Sequence, residues 1–168
     1  MLNIFDSFII LLLIFLIILI ITNIYMKFNR NKIDKNNKID KKVFIKNYIG
    51  ITLICFGLLK LYDIKKFSEI FSKYDIISKK INIYSYLYPF IEIFIGTLLL
   101  KNINIVKTLI ITKLIMIISI ISVLIALYNG DKLRCGCLGT FFHIPLSYVT
   151  LSENFLMLIM CLIYIIFK

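Results

Sequence analysis

The segment of this chain best equipped for chemistry is Arg134-Cys135-Gly136-Cys137-Leu138-Gly139. Two thiols one glycine apart can close a small disulfide ring or hold a soft metal ion, and the glycine permits the tight backbone that either state needs. A Cys-x-Cys ring is more strained than a Cys-x-x-Cys ring, and strained, exposed disulfides are labile and oxidising. Exchange is therefore favoured over a purely structural bond. Arg134 is one of two arginines in the chain, and a cation beside Cys135 favours its thiolate. The bland alternative makes the cysteines small apolar fillers and Arg134 an interfacial anchor, but a polar, Gly-rich setting argues for function. His143 follows six residues after Cys137, so Cys135, Cys137 and His143 can offer two sulfurs and one nitrogen to a metal. Their spacing fits no standard zinc site.

Further candidates lie inside apolar stretches. Glu92, in Tyr88-Pro89-Phe90-Ile91-Glu92, is an ionisable residue within a span and so a candidate catalytic group. It has a second reading: Pro89 marks a helix start, and an acid in the first turns complements the positive helix end. Glu153 reads as structural, because Thr150-Leu151-Ser152-Glu153 is a capping box. Cys55 and Cys161 sit among Ile, Leu and Phe and read as packing residues, available as resolving thiols only if their helices approach the Cys-Gly-Cys loop. Lys60 and Asp63 are close enough in sequence to pair at the interface, and Lys113 can snorkel.

The elements that must position these residues are membrane helices. Of 168 residues 61% are hydrophobic, more than one soluble core can hide. The apolar residues come in blocks near the ~20 residues that a helix needs to cross a bilayer. Five spans are expected, at about 4–25, 44–62, 85–100, 103–128 and 149–167. Only helices satisfy their own backbone in lipid at these lengths, so the class is all-α. The expected architecture is a polytopic four-helix transmembrane bundle with one extra N-terminal transmembrane helix. It divides into an anchor at 1–26, a basic linker at 27–42 and a membrane domain at 43–168.

A net charge of +11 raises nucleic acid as a partner, but the basic residues lie between apolar blocks rather than on one face. No nucleic-acid role is expected. The densest basic run, Lys27 to Lys42, belongs in the cytoplasm by the positive-inside rule, which sends the Cys-Gly-Cys loop outside by alternation. The expected setting is the bacterial inner membrane. Between the second and third spans, Ile64, Phe67, Ile70, Phe71 and Tyr74 recur at helical spacing with Lys65, Lys66, Glu69 and Lys73 between them. This predicts an amphipathic helix on the membrane surface or capping the bundle.

Several segments together carry a resemblance. They are Gly57-Leu58-Leu59-Lys60-Leu61-Tyr62-Asp63 with Phe67 and Tyr74-Asp75; Tyr88 to Glu92 with Gly96; and Cys135-Gly136-Cys137-Leu138-Gly139-Thr140 with Pro145-Leu146-Ser147 and Val149 to Asn154. In order and spacing, over roughly 44–168, the chain resembles the MauE/DoxX family of redox-associated membrane proteins. The resemblance implies a four-helix membrane bundle, related in general shape to quinone-linked thiol oxidoreductases, with a Cys-x-Cys loop before the last helix. It also implies a role like that of MauE in maturing a disulfide-rich exported subunit. Gly136 stands where alanine is common in relatives. No thioredoxin-like or metal-binding domain is fused to the chain, so such a partner would be separate.

Three functions are thus in play. The leading one is thiol–disulfide exchange through Cys135 and Cys137 with a thioredoxin-like or exported thiol protein, with quinone as a candidate mediator. A carrier of a soft metal ion such as copper or mercury is the alternative, and a non-catalytic scaffold the third. No complete nucleophile, base and acid constellation is visible.

Overall fold

The computed structural model describes residues 4–33, 41–129 and 146–166. These form six helices: α1 Ile4–Ile33, α2 Lys41–Tyr62, α3 Ile64–Tyr74, α4 Asn82–Leu100, α5 Ile105–Tyr128 and α6 Leu146–Ile166. The chain is all-α, and four helices (α1, α2, α4 and α5) are long and apolar enough to cross a membrane, the first of them near the N-terminus. The block expected as a fifth span is α6, whose apolar part Thr150–Ile166 is shorter than those four.

Two boundaries depart from expectation. α1 continues through Met26, Lys27 and Phe28 to Ile33, because no glycine or proline stops it. The first part of the basic run is therefore helical. α4 begins at Asn82, so Pro89 lies inside the helix and does not start it. Its missing N–H leaves the Ser85 carbonyl without its usual helical donor.

α2 is the central element. Ile49 and Leu53 of α2 pack with Ile95 and Leu99 of α4, Leu109 and Met116 of α5, and Met157 and Cys161 of α6. α1 joins from one side, burying Leu11 and Ile18 with Phe56 of α2, with the Phe15 and Phe56 rings 6.0 Å apart. The rest of α1 presents Leu12, Leu13, Leu16, Ile20 and Ile24 outward, an apolar face that suits lipid. α2 and α4 meet where Gly50 faces Gly96, a small-residue contact of the kind that lets membrane helices approach closely.

The two ends of the molecule differ. At one end, α2 begins, α4 ends and α5 begins. Buried Lys46 donates to the Leu99 carbonyl at 2.9 Å and to Asn102 Oδ1. It thereby satisfies a carbonyl that the end of α4 leaves open. The turn that follows uses positive φ at Asn102 (61°) and Asn104 (44°), a region that asparagine tolerates. Replacing Lys46 by Met should strip this cap and lower stability by about 1.5–3 kcal/mol, the worth of hydrogen bonds made by a charged group. Unfolding of the detergent-solubilised protein measures it. The opposite end carries α3 and the polar groups described next.

Candidate functional site

α3 is built to lie across the bundle. Asp63 caps its start, accepting from the Lys66 amide at 3.2 Å. Phe67, Phe71 and Tyr74 then fall on the buried side, while Lys65, Lys66, Glu69 and Lys73 stay exposed. The apolar side seats on α4, with the Phe71 and Tyr88 rings 4.6 Å apart and Tyr84 5.8 Å from Tyr88. This is the capping arrangement expected from the spacing. Asp75 then pins the following turn: its Oδ1 accepts from the Ile77 and Ser78 amides at 3.1 and 2.8 Å, and its Oδ2 lies 3.3 Å from the Ser122 hydroxyl of α5.

Beneath this aromatic cover lies a buried polar chamber. Lys60, in the last turn of α2, turns inward and donates to Glu92 Oε1 of α4 at 2.5 Å. Its ammonium also sits 4.9 Å from the centre of the Tyr88 ring and 6.0 Å from that of Phe67, so the ring faces add cation–π attraction. Beside the pair, Lys60, Tyr88, Ser119, Thr150, Glu153 and Asn154 line a cavity of about 10 Å³, the size of one water. Asn154 donates to the Ser119 hydroxyl at 2.8 Å, tying α6 to α5. Glu92 and Glu153 are only 3% and 6% exposed. Among the described residues Glu92 Oε2 has no hydrogen-bond partner. In an apolar interior such groups cost stability unless paired, which marks the chamber as a candidate for function.

Several expectations change here. Glu92 lies ten residues into α4, too deep to serve a helix end, so its role is the buried pair with Lys60. Lys60 faces inward to Glu92 rather than only toward the interface with Asp63, which caps α3. Glu153, expected to close a capping box at the start of the last span, lies inside α6, which begins at Leu146, and lines the cavity instead. Cys55 is half-buried in an apolar groove of about 360 Å³ between α1 and α2. Cys161 is fully buried and lies eleven residues beyond Thr150, roughly 16 Å along α6. That distance takes Cys161 away from the chamber. Arg134, Cys135, Cys137 and His143 lie outside the described residues; their segment is joined to Asn129 at the end of α5 and Leu146 at the start of α6.

Ser119 and Asn154 were not anticipated, although a signal existed. Thr108, Thr112, Ser119 and Ser122 recur at helical spacing along α5, and all four are buried. In an otherwise apolar span such a stripe marks the face turned toward protein.

No curated protein and no solved structure matches the chain. The family described as methylamine utilisation protein MauE matches residues 42–167, three quarters of the chain, and the match leaves α1 outside. It covers the whole chamber together with the Cys-Gly-Cys segment, and on that match the chain belongs to the MauE family.

Proposed function

We propose that the protein takes part in thiol–disulfide exchange at the membrane, with Cys135 and Cys137 as the exchanging sulfurs and an exported thiol protein or thioredoxin-like protein as partner. The observation that carries this reading is chain connectivity. The segment bearing both thiols joins the end of α5 to the start of α6, and the halves of these two helices nearer that segment contribute Ser119, Thr150, Glu153 and Asn154 to the buried chamber. Membership of the MauE family agrees with the resemblance from which a role in maturing an exported protein is inferred; the family's name itself refers only to methylamine utilisation.

In this reading a partner thiolate attacks one sulfur of the Cys135–Cys137 disulfide, forming a mixed disulfide, and the other sulfur leaves as thiolate beside the Arg134 cation. The second partner thiol then resolves the mixed disulfide, leaving the partner oxidised and the pair reduced. The reverse sequence reduces the partner. In this reading the basic run at 27–42 faces the cytoplasm by the positive-inside rule, and the thiol-bearing segment faces the other side.

The test is labelling of intact cells with a membrane-impermeant maleimide. Labelling at Cys135 and Cys137 is expected only after mild reduction, and is expected to vanish in Cys135→Ser/Cys137→Ser. Labelling that needs a chelator rather than a reductant would favour a soft-metal site instead, and labelling only after lysis would reverse the orientation.

A further inference from the structure

We propose that the charged face of α3, with the turn that follows it, is a docking surface for an acidic protein. Five lysines are exposed there, Lys65, Lys66, Lys73, Lys79 and Lys80, beside one exposed acid, Glu69. The two other acids lie closer in: Asp63 caps the helix and is half-buried, and Asp75 is buried in the turn. Counting all three acids, the stretch 63–80 remains positive by two, five lysines less Asp63, Glu69 and Asp75. The backbone that carries the charges is held in place. Lys66 and Lys73 stand seven residues apart on one stripe of α3, about 10 Å along its axis. In the turn, the Lys79 amide donates to the Asp75 carbonyl and the Lys80 amide to the Ile77 carbonyl, both at 3.0 Å.

The opposite side of the helix favours a protein over a lipid surface. An amphipathic helix that binds a bilayer sinks its apolar face among the acyl chains. Here Phe67, Phe71 and Tyr74 are 1–3% exposed and pack with Tyr88 of α4 and with Val123 and Ala126 of α5. The apolar face is used up within the bundle, and the lysines on the other side face away from it.

The surface also stands beside the last turns of α5 and the first turns of α6, because Val123, Ala126, Leu127 and Leu151 share one cluster with Phe67 and Phe71. A protein docked on α3 is therefore next to the two helix ends that the thiol-bearing segment joins. Resting on the proposed function, this makes the exchanging partner a protein with an acidic face, since complementary charge speeds encounter and fixes the approach. In the orientation of that reading the five lysines stand on the side that the positive-inside rule depletes, so topology does not call for them. The docking surface itself does not depend on the thiols.

Footprinting of the full-length protein in lipid nanodiscs, which leave both ends of the bundle open to solvent, tests the surface alone. The probe is a short polyglutamate peptide without cysteine. The readout is the rate at which a water-soluble acylating reagent modifies each lysine, mapped by mass spectrometry. In phosphatidylcholine the peptide is expected to slow acylation of the five lysines several-fold relative to Lys101 and Lys107, which are exposed at the opposite end. The protection should vanish at about 1 M salt, where the screening length is about 3 Å. In K65E/K66E/K73E, all exposed positions, protection of Lys79 and Lys80 should be lost as well. Equal protection at both ends, or none at α3, overturns the proposal, and so does protection that survives in the triple variant. Slower acylation of the five lysines without peptide, relative to Lys101 and Lys107, when anionic phosphatidylglycerol replaces phosphatidylcholine would assign the face to lipid and overturn it too. The peptide carries no thiol and the maleimide result is read separately, so failure of the docking surface and failure of the thiol reading are distinguishable.

Discussion

Replacing Gly96 by alanine is expected to push α2 and α4 apart and to lower the stability of the solubilised protein more than the same change at Gly57 or Gly50. A Cβ on Gly96 would stand 2.6 Å from the Gly50 carbonyl oxygen and 2.7 Å from Ile54 Cγ1. The first of these is helix backbone and cannot turn aside. At Gly57 the added carbon meets Ile93 Cγ1 at 2.6 Å and the Pro89 carbonyl oxygen at 3.0 Å, so part of the strain can be relieved by the Ile93 side chain. At Gly50 the nearest atoms are the Gly96 carbonyl oxygen at 3.0 Å and Leu100 at 3.2 Å. Overpacking of this kind costs about 1–3 kcal/mol, and alanine returns up to about 1 kcal/mol through its better helix propensity. The net loss should therefore be largest at Gly96, intermediate at Gly57 and near zero at Gly50. Unfolding midpoints in one detergent give the ranking; equal losses at the three sites would mean that backbone contact does not set the α2–α4 distance.

This contact explains what was legible from sequence and what was not. The spans were readable because a bilayer imposes a length and an apolar composition that few other structures share. α3 was readable because its charged and aromatic residues alternate with the period of a helix, and the structure buries Phe67, Phe71 and Tyr74 as that period predicts. The inward faces of the other helices were harder. Leu and Ile serve equally against lipid and against protein, so α5 has no apolar period to read, and only its Ser and Thr stripe shows which side meets the bundle. Pro89 offers a helix start in the sequence, but the expected span already opens near 85 and α4 begins at Asn82, which puts Glu92 in the helix interior and not at its end. Lys60 and Glu92 are 32 residues apart, and nothing local joins them; a cation in the last turn of one span and an acid within the next stand at similar depth only once the helices are packed antiparallel.

That pair gives the other large expected effect. Lys60→Met keeps most of the packing of the lysine stem but removes the ammonium shared by Glu92, the Tyr88 and Phe67 rings and the cavity. Breaking a buried ion pair from one side costs about 3–5 kcal/mol, because the remaining charge stays buried without its partner. Glu92→Gln is the milder change: the amide oxygen still accepts from Lys60, and Glu153 on the same cavity supplies a second carboxyl. The double variant Lys60→Met/Glu92→Gln should be more stable than the sum of the two single losses by about 1–3 kcal/mol, the range for residues in direct contact. Equilibrium unfolding of the four proteins in one detergent closes the cycle. Strict additivity would mean that the pair is not coupled. A larger loss for Glu92→Gln than for Lys60→Met would mean that Glu153 does not balance the lysine. With the expected order, the Lys60 ammonium contributes more to the polar end of the bundle than the Glu92 charge does, alongside the Asp75–Ser122 and Asn154–Ser119 contacts that tie the same end.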